Sequence, residues 1–271
     1  MTPEARLGGI LAGIPRRIVA CSGGVDSLVL ADVAHALDPA GTIVAHSVTP
    51  AVPAAATDRV RAVADQLGWN LVLLTSAEFT DERYLANPVD RCYFCKSNLY
   101  DELERIRAHA DGATVLSGAN TDDLGEYRPG LIAAAEHAAR HPLVEADISK
   151  PEVREIALAR GREWHALPAS PCLSSRLYTG TPVTPSLVKA VEAGESELRR
   201  LTGIQVARCR VRGTAVLIEV GDHDRHLVDV AVLDRVTEAM RRREPALEHA
   251  VLDPRSYAPG RAFVQISRRS A

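Results

Sequence analysis

Across the first 150 residues, apolar runs of four to six residues alternate with stretches whose apolar positions fall three and four apart. The short runs predict strands over 18–21, 42–47, 70–74 and 113–116, and the spaced stretches predict helices over 27–37, 57–67 and 93–109. Such alternation is the mark of an α/β fold, a parallel sheet with helices on both faces. The polar, proline-containing passage at 75–91 predicts a loop over that sheet. Ligands of such sheets bind beyond the carboxyl ends of the strands. Here those ends lead into Ser22, His46 and Ser117, so three loops should meet at one crevice.

The texture changes near Pro182. An amphipathic helix is expected over 185–202, an antiparallel strand pair over 206–212 and 215–220, a helix over 228–243 and a strand over 249–252. This is a smaller α+β arrangement, so the expected domains are 1–180 and 181–271, the second for substrate binding or oligomerisation. Arg208, Arg210 and Arg212 alternate along a strand and so share one face. Three guanidiniums on one face repel unless an anion or acidic side chains neutralise them. A phosphate site is one reading, and pairing with acids such as Glu219 is the other.

The sharpest chemistry lies between the first strand and the first helix, in Ser22-Gly23-Gly24-Val25-Asp26-Ser27. Glycines there let backbone N–H groups approach an anion, and the helix start adds the positive end of its dipole. Ser22 and Ser27 offer hydroxyls to phosphate oxygens. Asp26 would repel a polyphosphate unless a cation such as Mg²⁺ stood between them. The loop lacks the lysine of a Walker motif, and it resembles the SGGxDS pyrophosphate loop of the ATP pyrophosphatases, enzymes that split ATP into AMP and pyrophosphate. A net charge of −3 gives no general footprint for nucleic acid, and no run of about 18 apolar residues predicts a membrane span. The expected location is the cytoplasm, where five cysteines would be thiols, metal ligands or catalysts.

Cys92 and Cys95 form a C-x-x-C, and Cys172 lies in Pro171-Cys172-Leu173-Ser174-Ser175-Arg176. Cys21 and Cys209 sit in apolar strands and read as core. The other three could be unrelated thiols, zinc ligands with His141 or His165, or holders of three irons of a [4Fe–4S] cluster. Spacing leaves these readings open. A second polar concentration, Asn120-Thr121-Asp122-Asp123 with Arg128, follows the strand at 113–116 and suits nucleotide, metal and anionic substrate contacts.

Taken together, SGGVDS at 22–27, NPVDRCYFCK at 87–96, GANTDDLGEYRPG at 118–130, HPLVEADISKPEVREIA at 141–157 and PCLSSR at 171–176 resemble the LarE family in order and spacing. The likeness covers nearly the whole chain. It implies a PP-loop ATP pyrophosphatase fold and ATP-dependent sulfur insertion into pyridinium-3,5-biscarboxylic acid mononucleotide, toward the nickel-pincer cofactor of lactate racemase. It further implies ATP contacts from Ser22, Gly23, Gly24, Val25, Asp26, Ser27 and Asn120, with Asp26 and Cys172 catalytic. Substrate contacts are implied for Asp123, Arg128, Ser175, Arg176, Arg208 and Arg210. Having Cys92 and Cys95 as well as Cys172, the chain resembles members that hold a [4Fe–4S] cluster rather than those whose single cysteine gives up its own sulfur. The implied partners are the mononucleotide, sulfide or another sulfur donor, and further copies of the chain, a hexamer among the stoichiometries. The runner-up enzyme is a cluster-dependent tRNA thiolase, and a nucleotide-binding regulatory module without catalysis stands outside the enzymes.

Overall fold

A computed structural model describes residues 1–125 and 128–263. Glu126 and Tyr127, inside the 118–130 motif, lie outside the described residues. Contacts divide the chain into two units, one of Met1–Glu78 and Cys92–Ser170, the other of Phe79–Arg91 and the chain from Pro171 onward. The expected boundary at 180/181 therefore stands ten residues beyond the later of these divisions, and the expected loop at 75–91 is largely part of the second unit.

The first unit runs α1 (Pro3–Ala12), β1 (Arg17–Ala20), α2 (Val25–Leu37), β2 (Thr42–Ser47), α3 (Ala54–Leu67) and β3 (Asn70–Leu74). After the segment that belongs elsewhere, which carries the short α4 (Glu82–Leu85), come α5 (Arg91–Ala108), β4 (Thr114–Ser117), α6 (Pro129–Glu136), α7 (Pro142–Glu145) and α8 (Lys150–Ala159). All strand pairs of the sheet are parallel, in the order β3-β2-β1-β4. Alternation along the strands explains how both faces are covered. Val19, Val44 and Leu116 join the cluster with Leu28 of α2 and Ile156 of α8, while their neighbours Ile18, Ala45 and Val115 join Tyr100 and Leu103 of α5. The chain leaves β1 toward β2 and β3, then returns to place β4 on the other side of β1. That reversal makes the gap between the carboxyl ends of β1 and β4 the topological switch point, where ligands of open parallel sheets bind.

The second unit contains α9 (Pro185–Thr202), β5 (Ala207–Arg212), β6 (Ala215–Val220), α10 (Val230–Arg241) and β7 (Val251–Leu252). Thr184 caps α9 by accepting from the Leu187 N–H at 3.1 Å, and Leu187, Val188, Val191 and Leu198 form its buried stripe. β5 and β6 pair antiparallel, with Arg210 opposite Leu217, and β7 adds to β6 in parallel. The segment at 79–91 is sewn into this unit. Tyr84 and Ser174 share a hydroxyl hydrogen bond of 2.7 Å, and the buried Asn87 amide donates to the Tyr178 and Thr181 carbonyls at 2.9 and 2.7 Å. Asn87 takes a left-handed φ of 52°, which asparagine tolerates better than most residues. No helix among the described residues is long and apolar enough to cross a membrane.

Candidate functional site

The Ser22–Ser27 loop leaves β1 at the switch point, and its shape is set by glycine. Gly23 has φ of +80°, and a Cβ there would stand 2.9 Å from the Ala56 carbonyl oxygen of α3. Gly24 occupies the N-cap of α2 with extended backbone and no capping side chain on the first N–H groups of the helix. Ser27 is buried, and its hydroxyl donates to the Gly24 carbonyl at 3.0 Å while accepting the Ser22 N–H at 3.1 Å. It thus pins the loop from inside, whereas Ser22 is exposed at the surface. Two residues not assigned from sequence complete the brace. Arg59 of α3 donates to the Gly23 carbonyl at 2.8 Å, and the buried His46 bridges the Cys21 carbonyl and the Thr57 hydroxyl at 2.8 and 2.9 Å. Burial lowers the His46 pKa, keeping the ring neutral in that bridge.

β4 brings the second set of groups to the same gap. Gly118 lies so close to α2 that a Cβ would meet the Ser27 Cα and N at 3.0 Å. Asn120, which is 1% exposed, donates from its amide to Asp26 Oδ1 at 3.0 Å across the switch point. Its own N–H donates to Asp123 and its amide oxygen accepts the Asp122 N–H, a capping box over one turn of 3₁₀ helix. Arg128 pairs with Asp123 at 2.9 Å. Burial raises the Asp26 pKa and Asp123 adds to the rise, opposed by Lys150 and the Asn120 hydrogen bond. A half-buried carboxylate with a second carboxylate beside it favours a cation, which is the role expected for Asp26 toward Mg²⁺.

Lys150 is the residue sequence reading passed over. The Thr121 N–H donates to the Ile148 carbonyl at 3.1 Å and the Lys150 N–H to Asp122 at 2.6 Å, so the turn that touches Asp26 is stitched to the start of α8. Lysine is the first residue of that helix, where its charge opposes the dipole at about 0.3–1 kcal/mol. A cation set against the dipole was the available signal.

In the second unit, Arg176 holds the cysteine loop. It forms two hydrogen bonds with Glu195, at 2.8 and 2.9 Å, and donates to the Pro171 and Cys172 carbonyls at 2.6 and 3.0 Å. Burial works against its charge, but Glu195 outweighs that and the pKa lies above the usual arginine value. Arg210 forms a 3.0 Å bond with the buried Glu219 and donates to the Ser175 carbonyl at 2.9 Å. Arg208 is buried too, with its guanidinium over the Tyr257 ring, while Arg212 is exposed. Period two holds along β5, but the charges do not make an exposed cationic face, because Glu219 takes up Arg210. Cys172 itself is half-buried at the head of a 3₁₀ turn.

Cys92 and Cys95 belong to the first unit and lie in the first two turns of α5, three residues apart and so on one helix face. Both are half-buried thiols, an arrangement that fits two ligands of a thiolate-held cluster. Cys172 belongs to the second unit. Among the described residues, no group of three or more His, Cys, Asp and Glu side chains is arranged to hold a metal ion. Cys21 and Cys209 are core residues, and burial raises both their pKa values.

No protein-family model matches the chain. An uncharacterized protein of Synechocystis is 38% identical over 207 residues, covering 76% of this chain and 77% of its own. The pyridinium-3,5-bisthiocarboxylic acid mononucleotide synthase of Lactiplantibacillus plantarum is 34% identical over 226 residues, covering 81% and 79%. An uncharacterized protein of Methanocaldococcus jannaschii is 27% identical over 205 residues, covering 76% and 77%. With the synthase matched over four-fifths of both sequences, this chain belongs to the LarE family.

Proposed function

We propose that this protein is an ATP-dependent sulfur transferase of the PP-loop type, converting carboxylates of pyridinium-3,5-biscarboxylic acid mononucleotide into thiocarboxylates for the nickel-pincer cofactor. The observation that carries the reading is the Asn120–Asp26 bond, which ties the two strand ends of the switch point beside a glycine loop suited to pyrophosphate. The chemistry of the relative's product supplies the substrate class.

In this reading the loop amides and Ser22 bind the β- and γ-phosphates of ATP, and Asp26 holds Mg²⁺ against them. A substrate carboxylate oxygen attacks the α-phosphorus, the bond to pyrophosphate breaks, and an acyl adenylate forms. Sulfur then attacks the acyl carbon and AMP leaves with the bonding electrons. Adenylation is needed because a carboxylate is a poor electrophile, and water must be kept from the adenylate until sulfur arrives. Cys172 lies on the sulfur route, with Arg176 and Arg210 fixing its loop through the carbonyls of Pro171, Cys172 and Ser175. Cys92, Cys95 and Cys172 would hold a [4Fe–4S] cluster, which when bound offers sulfide from its open iron. Asp123, Arg128, Ser175 and Arg208 are proposed as substrate contacts, Arg208 for the mononucleotide phosphate. The working protein is proposed to be a cytoplasmic homo-oligomer, of hexameric form.

Anaerobic protein given MgATP, the biscarboxylate mononucleotide and sulfide should release AMP and pyrophosphate and return a sulfur-containing mononucleotide. Turnover of unmodified tRNA with none of the mononucleotide would replace this reading by a tRNA thiolase. Iron and sulfide should each be found at about four per chain. A dehydroalanine at Cys172 after one turnover of anaerobic protein would instead make that cysteine the sulfur donor.

A further inference from the structure

We propose that Lys150 supplies the phosphate-facing cation that the Ser22–Ser27 loop lacks. This inference rests on the ATP reading above and names a catalytic residue within it. A Walker loop carries its own lysine to the phosphates. The sequence here offers hydroxyls, glycines and a carboxylate, and ATP would bring several negative charges to a site that already holds Asp26.

Two other cations near this gap have visible duties. Arg59 is bound to the Gly23 carbonyl at 2.8 Å, where it shapes the loop. Arg128 is paired with Asp123 at 2.9 Å. Lys150 differs in two ways. Its backbone N–H is tied to Asp122, two residues beyond the Asn120 that contacts Asp26, so its position relative to the loop is fixed. Its side chain is exposed, and among the described residues no hydrogen bond or ion pair reaches its ammonium.

The start of α8 does not need this lysine. Ser149 and Glu152 already form a capping box there, with Glu152 accepting from the Ser149 N–H at 2.9 Å and hydroxyl at 2.7 Å. A cation at this position opposes the helix dipole, so its use lies with an anion in front of the helix. In the reaction, negative charge gathers on the oxygen that bridges the α- and β-phosphorus atoms, and on the departing pyrophosphate, as the leaving bond stretches. An ammonium there stabilises that charge and gives up no proton. The competing role is purely local, an ammonium offsetting Asp26, Asp122 and Asp123.

Calorimetric titration of the full chain with MgATP and with magnesium pyrophosphate separates the two roles. For Lys150→Met the proposal expects MgATP affinity to fall ~10–100-fold, as befits a lost charge-assisted contact. AMP formation should fall on the order of 10²-fold or more. Lys150→Arg should keep most of the affinity, and the melting temperature should stay put in both. If the lysine merely offsets the acids, Lys150→Met would bind Mg²⁺ more tightly and excess Mg²⁺ would restore full activity, which overturns the proposal. Wild-type affinity in Lys150→Met overturns it as well. Should Lys150→Met not fold, Lys150→Gln gives the same readings, and failure of both to fold assigns the lysine a structural role and overturns the proposal. Binding is read without the carboxylate substrate, so the two readings can fail apart. Protein that binds MgATP through Lys150 yet ignores the mononucleotide keeps this inference and loses the substrate. Protein that converts the mononucleotide equally well as Lys150→Met loses this inference alone.

Discussion

The Ser22–Ser27 loop and the Cys172 loop are both short, polar turns at the head of helical segments, yet they are held in opposite ways. The first is shaped by glycine backbone and hydroxyls, with a single guanidinium, that of Arg59, on its Gly23 carbonyl and its buried ion cluster placed elsewhere. Asp32, six residues further along α2 than Asp26, accepts from Arg160 and Arg162 of the first unit at 2.7–3.0 Å. The second is gripped directly by charge, with Arg176 on Glu195 and Arg210 on Glu219. Under the proposed function, the loop that admits a polyanion leaves its helix start without a capping side chain, and the loop that aims one sulfur uses its arginines as clamps.

The largest effect that could break this contrast is Glu195→Ala. Leaving Arg176 buried without its carboxylate should cost about 3–5 kcal/mol, read from denaturant unfolding. A loss below about 1 kcal/mol would mean the Arg176 clamp is not charge-based. Asp32→Ala should cost less, about 2–3 kcal/mol, because Arg160 and Arg162 both reach solvent. Burial raises the Asp32 pKa, but its two arginines overcome that and depress it. A carboxylate with depressed folded pKa contributes stability that is complete above its unfolded value of about 3.9 and lost as pH falls through the folded value. Wild-type and Asp32→Ala stabilities should therefore converge in strong acid, and a gap that persists there would refute the assignment.

Gly23→Ala should strain the loop by about 1–2 kcal/mol and weaken MgATP binding with little change in the second unit, as hydrogen exchange can localise. Asn120→Ala is the smallest of the four, about 0.5–1.5 kcal/mol of MgATP binding. It also removes a bond that favours charged Asp26, so the acid limb of MgATP binding should move to higher pH. An unmoved limb would detach Asn120 from Asp26.

Much of this contrast could be read from residues, and some could not. The expected ranges for β2, β3 and α9 coincide with the observed ones, because each is a bounded apolar pattern of its own period. The glycine turn between β1 and α2 was visible for the same reason: a local signal with local consequences. The strand of alternating arginines was half visible. Its period placed Arg208 and Arg210 together, but whether a guanidinium meets ligand or carboxylate depends on Glu219 across the strand pair and on Arg261, which also reaches Glu219, at 3.0 Å. The passage at 75–91 was opaque. Its helix α4 has four residues, and what fixes it is Asn87 bonding to carbonyls far along the chain. Lys150 was hidden by being an ordinary residue type whose importance rests on the turn it is tied to.

The placement of Asn87 has a consequence for birth on the ribosome. Its amide emerges 91 residues before the Tyr178 carbonyl that receives it. At synthesis rates of about 5–20 residues per second, that early piece waits roughly 5–18 s for its partners. The nascent chain must therefore let the sheet close around an interruption that has nowhere to dock. For the same reason, a fragment starting at residue 171 would be born without Asn87 and Tyr84, and no cut in the sequence yields the second unit as a single continuous piece.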